Sequence, residues 1–308
     1  MDRGETSGGL LVSDQAILRE HLLDSLRERL RAFRKAARRA RKRSTEQTVH
    51  QLRVQLRRLL AFFELLSTVV PDVHLQRARK KLKKRLDQFD DLRDTHVQLL
   101  FTASMLSHFP ELKPLHKKLQ RREDRLLKRA TKKAQDCKCP WLAHAKRMIK
   151  RHLRSAFRPE GVGSRSAQKL LEGINKAFDH VRQLRARIDP QHLETIHRTR
   201  IAFKKFRYIS ELLQPVLPAI KPRQLVAMDG YQTMMGDIQD VEMMLQTLDE
   251  LVKKGKLRRV PLNRFREFLA HRQSVLVRIY LEGADELFSF WPPAAPAFRT
   301  RQASPVAA

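Results

Sequence analysis

Two stretches of this chain share a pattern of residues suited to holding anions. VHQLRVQLRRLL at 49–60 and IHRTRIAFKKFR at 196–207 each set an apolar residue before a histidine, an arginine three places later, then paired cations. His50, Arg53 and Arg57 of the first recur as His197, Arg200 and Lys204 of the second, at a constant offset of 147. A guanidinium presents a rigid fork of N–H donors matched to phosphate oxygens, and an ammonium adds a mobile point charge. An imidazole can donate from either ring nitrogen, with a charge that changes near neutral pH. Cations one helical turn apart recur every ~5–6 Å, so a linear phosphate polymer laid along such a row meets one repeatedly. A single H-x-x-R on a helix is commonly a solvated or salt-bridged pair. Its duplication at a fixed offset is what marks these six residues as a binding set.

Placed on helices, the patterns acquire a direction. Val49, Leu52, Leu56, Leu59, Phe63 and Leu66 recur at spacings of 3 and 4 and form an apolar seam. His50, Arg53 and Arg57 run one residue later, at the edge of the packed face. In the second copy Ile196, Thr199, Phe203 and Phe206 supply the seam, flanked by His197, Arg200 and Lys204 and joined by Lys205 and Arg207. The preceding segment repeats the device: Leu22, Leu26, Leu30 and Phe33 are the seam, and Arg27, Arg31, Arg34 and Arg38 run beside it.

The composition agrees with an anionic partner. The 308 residues carry 64 Lys+Arg against 33 Asp+Glu, a formal charge of +31. Self-repulsion on that scale opposes a compact state unless a partner of opposite sign relieves it. At 42% hydrophobic residues the chain has ample material for a core. Cys137 and Cys139 form one C-x-C without a second pair, so neither a zinc site nor a disulfide framework is expected, which fits a reducing compartment. No apolar run approaches the ~20 residues that span a bilayer. The expectation is a cytoplasmic protein without metal or cofactor, not held in a membrane, with its oligomeric state open.

Long breaker-poor stretches rich in Leu, Arg, Lys, Gln and Ala predict an all-α fold. Helices are predicted at about 14–43, 46–69, 73–107, 111–136, 140–157, 165–188, 190–216, 221–252 and 262–284, with prolines at the joints. The 147 offset also pairs Arg58 with Lys205, Glu64 with Glu211 and Pro71 with Pro218; one residue is then lost, and DLRD at 91–94 meets DIQD at 237–240. The predicted organisation is a loose N-terminus (1–13), two antiparallel helical bundles (14–157 and 158–290) meeting near RPEGVGSRS, and a loose Pro/Ala-rich tail (291–308).

VHQLRVQLRRLLAFFELL and IHRTRIAFKKFRYISELL resemble the two signature helices of the CHAD family, the conserved-histidine α-helical domain. The R-D of DDLRDTHV and the R-Y of KKFRY fit as well, and the resemblance covers about 14–285. It implies two bundles related by a pseudo-twofold, a basic groove between them, binding of inorganic polyphosphate and association with polyphosphate granules. Carried over position by position, the binding set is His50, Arg53, Arg57, Arg58, His197, Arg200, Lys204, Lys205 and Arg207, to which the stripe adds Arg31, Arg34 and Arg38. Asp90 stands where the family commonly has Gly, which Gly236 keeps in the second copy. Leu60 stands where the second copy has Arg207, implying a lopsided groove. The E-x-E-x-K of the triphosphatase domain that some members carry is missing from this sequence, so a stand-alone binding module is expected.

Two rival readings use other features. DDLRD at 90–94 matches the D-D-x-x-D with which isoprenoid synthases hold magnesium diphosphate, and GDIQD partly echoes it. A prenyl chain, however, needs a large apolar pocket to which +31 contributes nothing. Asp91, Asp94, Asp237 and Asp240 are read instead as partners of nearby cations. A nucleic-acid protein has equally good electrostatics, but aromatics are only 6% and most Phe residues fall in helix seams, leaving few stacking platforms. Weak non-specific nucleic-acid binding is the expectation there. The sequence thus predicts that both motif copies face one shared trough; a structure holding them on unconnected surfaces contradicts it.

Overall fold

The computed structural model describes residues 6–70, 72–135, 139, 141–157 and 163–291. Among these the chain is all α, with no strand. Its helices are α1 (Thr6–Lys42), α2 (Glu46–Leu66), α3 (Val73–Asp87), α4 (Asp90–Met105), α5 (Lys113–Gln135), α6 (Trp141–Ala156), α7 (Gly163–Arg185), α8 (Leu193–Leu213), α9 (Pro222–Lys253) and α10 (Asn263–Gly283).

The seams read from the sequence are the buried faces. Val49, Leu52, Leu56, Leu59, Phe63 and Leu66 of α2 are all buried, as are Leu22, Leu26, Leu30 and Phe33 of α1 and Ile196, Thr199, Phe203 and Phe206 of α8. Local chemistry sets the starts. Thr45 and Thr48 form a reciprocal capping box ahead of α2, with Thr48 N–H donating to Thr45 Oγ1 at 3.3 Å and Thr45 N–H to Thr48 Oγ1 at 2.9 Å. Asp72 caps α3, its Oδ1 accepting from the backbone N–H of His74 at 2.6 Å.

Three features differ from the sequence reading. The first helix begins at Thr6 rather than about 14, carrying Gly8 and Gly9 within it. The single helix expected over 73–107 is two, broken at Gln88–Phe89. There the Phe89 ring is fully buried, Lys133 of α5 donates to the Gln88 carbonyl at 3.2 Å, and Asp90 and Asp91 open α4, where negative charge suits the helix dipole. Trp291, assigned to the loose tail, is buried, and its indole N–H donates to Asn175 at 2.8 Å. Pro71, Cys137, residues 158–162 of the expected boundary and the tail from 292 lie outside the described residues. Cys139 is buried.

The sequence halves do not keep separate cores. α2 packs on α8, α4 on α9 and α1 on α7, as well as on their chain neighbours. One apolar cluster joins seam residues of α1, α2 and α3 to those of α6, α7, α8 and α9. A second joins Phe109, Leu115 and Leu119 to Met244, Leu248, Phe265 and Leu269. Within the first, Phe203 lies 4.9 Å from Tyr231 and 5.7 Å from Phe290, and Phe206 meets Trp291 edge-on at 5.9 Å. Replacing Phe203, fully buried here, with Ala should destabilise the fold by about 3–5 kcal/mol; the midpoint of urea unfolding measures it.

Candidate functional site

The α2–α8 contact places both motif copies together. Arg53 follows Leu52 on α2 and is only 2% exposed, an unusual environment for a guanidinium. The Asp90 carboxylate at the start of α4 answers it at 2.7 Å. Arg93, one turn along α4, takes Asp94 at 3.1 Å and reaches across to Asp240 of α9 with both guanidinium nitrogens, at 2.9 and 3.3 Å. Burial alone would lower Arg93; Asp240 and Asp94 outweigh it, and its pKa is raised. Four helices thus meet around a knot of charge.

Three further cations enter the knot without a carboxylate of their own. Arg57, Arg200 and Lys204 form no ion pair among the described residues, whereas Arg53 and Arg93 do. Arg200 lies across Gly236 of α9, its Nε 3.6 Å from where a Cβ would stand, and that Nε is buried without a hydrogen-bond partner. Burial lowers its pKa, with Arg93 the next cause. Lys204 is affected most. Burial first, then Arg57, Arg200, Arg93 and Arg53, push its ammonium down to about 6, so the free protein holds it largely neutral at pH 7. His197 is also lowered, by burial and then by Arg200, against a hydrogen bond that its ring donates to Gln239. Its Nδ1 is buried and unpartnered, and the ring opens on a recess shared with Gln239, Glu242 and Gln246. Orphaned buried donors beside uncompensated cations leave hydrogen-bonding capacity that an anion can use.

The other residues singled out from the sequence are placed differently. Arg58 pairs with Glu211 of α8 at 3.6 Å, and Lys205 pairs with Glu64 of α2 at 3.5 Å. Arg207 is held by Glu211 at 2.7 Å, Asp229 at 3.2 Å and Gln232 at 3.0 Å. These three clasp α2 to α8 and α9. His50 is exposed and forms no hydrogen bond or ion pair among the described residues. Arg31, Arg34 and Arg38 are exposed on α1, and Arg31 and Arg34 stand toward Lys146 of α6.

Of the carboxylates read as cation partners, Asp94 and Asp240 are so engaged, while Asp91 and Asp237 form no ion pair among the described residues. Two of the three D-D-x-x-D carboxylates are held by cations, Asp90 by Arg53 and Asp94 by Arg93. No three His, Cys, Asp or Glu side chains among the described residues are placed to hold one. Sequence reasoning missed two cations. Arg93 lay in view in the R-D of DDLRD, but its counterpart, Gln239, is neutral, so the repeat gave no signal. Arg29 of α1 is half-buried and lowered to about 10, by desolvation and then by Arg58; no repeated motif marks it.

Residues 24–249 match the family described as CHAD domain. The fold is similar to the crystal structure of the CHAD domain from the plant Ricinus communis, with TM-score 0.69, 19% identity, and coverage of 92% of this chain and 94% of that one. No match to a curated protein is found. Among the described residues no helix is long and apolar enough to cross a membrane.

The depressed ammonium of Lys204 has a consequence for stability. Between about 6 and its ordinary value of 10.5 the unfolded chain binds a proton at this residue that the folded chain lacks. Lys204 therefore makes the ligand-free fold more stable as pH rises through that window, at up to ~1.4 kcal/mol per unit. Urea midpoints from pH 6.5 to 9 should rise less steeply in Lys204→Met, and at pH 7 that variant should be the more stable.

Proposed function

Because the chain belongs to the CHAD domain family and joins two motif helices at one cationic knot, we propose that it is a non-enzymatic binding protein for inorganic polyphosphate. The observation that carries this reading is the convergence of Arg57, Arg200 and Lys204, drawn from both motif helices and left without carboxylate partners. Arg57 and Arg200 grip phosphoryl oxygens. Lys204 takes up a proton as the anion arrives, since a phosphate beside it raises its pKa again. His197 donates a hydrogen bond from the edge of the knot. Arg53 and Arg93 are held toward the carboxylates and shape the potential more than they bind. Arg58, Lys205 and Arg207, already paired, flank the strand. His50 lies on the exposed approach.

The pseudo-twofold is part of the same proposal. Arg58–Glu211 and Lys205–Glu64 are reciprocal contacts between positions related by the 147 offset, the signature of a self-complementary interface. The packing of α1 on α7, α2 on α8 and α4 on α9 supports it, since the repeat offset relates the members of each pair. A cytoplasmic location on polyphosphate granules follows from the ligand. Nucleic acid is the weaker alternative, because the knot offers phosphate donors but no aromatic faces for bases.

Titration with polyphosphate, tripolyphosphate and a DNA oligomer at two salt concentrations tests the reading. With about eight phosphates neutralised, a fourfold rise in salt should weaken polyphosphate binding on the order of a thousandfold. Arg57→Ala with Arg200→Ala should lose about a hundredfold or more in affinity while helical circular dichroism is unchanged. Affinity should climb as pH falls from 8 toward 6, and Lys204→Met should flatten that climb. Displacement of polyphosphate by DNA at equal phosphate concentration contradicts the proposal.

A further inference from the structure

A second cationic surface lies away from the knot. Between Glu28 and Glu46 the sequence has no acidic residue, and α6, residues 141–156, has none either. These two carboxylate-free segments pack on one another. Arg29 turns toward Arg58 and Glu211 at the clasp, while Arg31 and Arg34 lie toward α6, with exposed Arg38 one turn further along α1. Across from them stand Lys146 and Lys150. Burial and then Lys150, Arg34, Arg31 and Arg27 lower Lys146. Arg27 is answered by Asp24 at 2.9 Å; Arg31, Arg34, Arg38, Lys146 and Lys150 form no ion pair among the described residues. At the end of α6, Arg147, Lys150, Arg151 and Arg154 line a shallow open groove.

Stability does not account for this arrangement. Like charges one turn apart on a helix are unfavourable by a few tenths of a kcal/mol per pair, and here Arg31 and Arg34 face Lys146 and Lys150 with none of the four in an ion pair among the described residues. A ligand of high negative charge density relieves both rows together. The exposed donors are of the kind that contact phosphates; base recognition needs stacking faces as well, and the one aromatic of α6, Trp141, is already under Lys81 at 5.8 Å.

We propose that the α1–α6 face is a second surface for a phosphate polymer, separate from the knot, so that one molecule holds two strands of polyphosphate and bridges them. The identity of the polymer rests on the function proposed above; the existence and place of the second surface do not.

Calorimetric titration with tripolyphosphate, paired with turbidity on adding long polyphosphate, tests it in three proteins. The wild type should bind in two events and turn long polyphosphate turbid. Lys146→Glu with Lys150→Glu should keep the tighter event within about twofold, lose the weaker one and stay clear. Arg57→Ala with Arg200→Ala should keep only the event that the α6 charge reversal removes. Unchanged event count and turbidity in the α6 variant overturn the second surface, and a milder pair, Arg34→Ala with Arg38→Ala, must then be silent too. If a DNA oligomer displaces tripolyphosphate from the Arg57→Ala, Arg200→Ala protein at equal phosphate concentration, the surface belongs to nucleic acid and the proposal fails. A knot variant that keeps both events contradicts the assigned function of the knot while leaving the second surface standing.

Discussion

Bringing guanidinium and ammonium groups from separate helices into a partly dry space is unfavourable, and the architecture around the knot follows from how that repulsion is contained. An unpaired charge taken out of water costs several kcal/mol even after relaxation. Asp90, Asp94 and Asp240 answer Arg53 and Arg93, and two of these ion pairs are also ties between helices: Arg53–Asp90 joins α2 to α4, and Arg93–Asp240 joins α4 to α9. Compensation stops there. Burial pushes Arg200, His197 and above all Lys204 toward their neutral forms. On the proposed function, an arriving anion relieves this repulsion, and that relief is what the knot would offer a ligand.

Such a strained centre needs firm walls. The α2 and α8 seams are buried without gaps in their periodicity, and the shared cores leave neither half able to drift from the other. The reciprocal Arg58–Glu211 and Lys205–Glu64 pairs lie next to these seams, partly exposed. Surface pairs of this kind contribute little free energy each, so their role is better described as fixing register than as adding stability. Gly236 of α9 lies against Arg200, whose Nε is 3.6 Å from where a Cβ would stand, where the first half places Asp90 against Arg53 instead. One half meets its buried arginine with a carboxylate, the other with a glycine and open donors.

Much of this was legible in the sequence because helical periodicity and a fixed repeat offset are local, countable signals. The seams, the joints and the convergence of Arg53, Arg57, Arg200 and Lys204 on one place are of that kind. The exceptions depend on three-dimensional partners. Whether a cation beside a seam is free or paired turns on a carboxylate from another helix, so Arg58, Lys205 and Arg207 read like Arg57 and Lys204 yet are clasped. Arg93 escaped notice because its counterpart is neutral. His50 and His197 occupy equivalent positions in the repeat, but only the second is half-buried against α9. The break at Phe89 is set by a buried ring and by Lys133 from α5, neither of which leaves a Gly or Pro mark. The shared cores were not legible either, since periodicity says which face is buried and not against what.

The most direct test of the central claim is a crystal structure of the complex with a short polyphosphate. The account predicts phosphoryl oxygens within hydrogen-bonding distance of Arg57, Arg200 and the Lys204 ammonium, with Arg53 still on Asp90 and Arg93 still on Asp240. A chain lying elsewhere, with Arg57, Arg200 and Lys204 as they stand in the free protein, would contradict it.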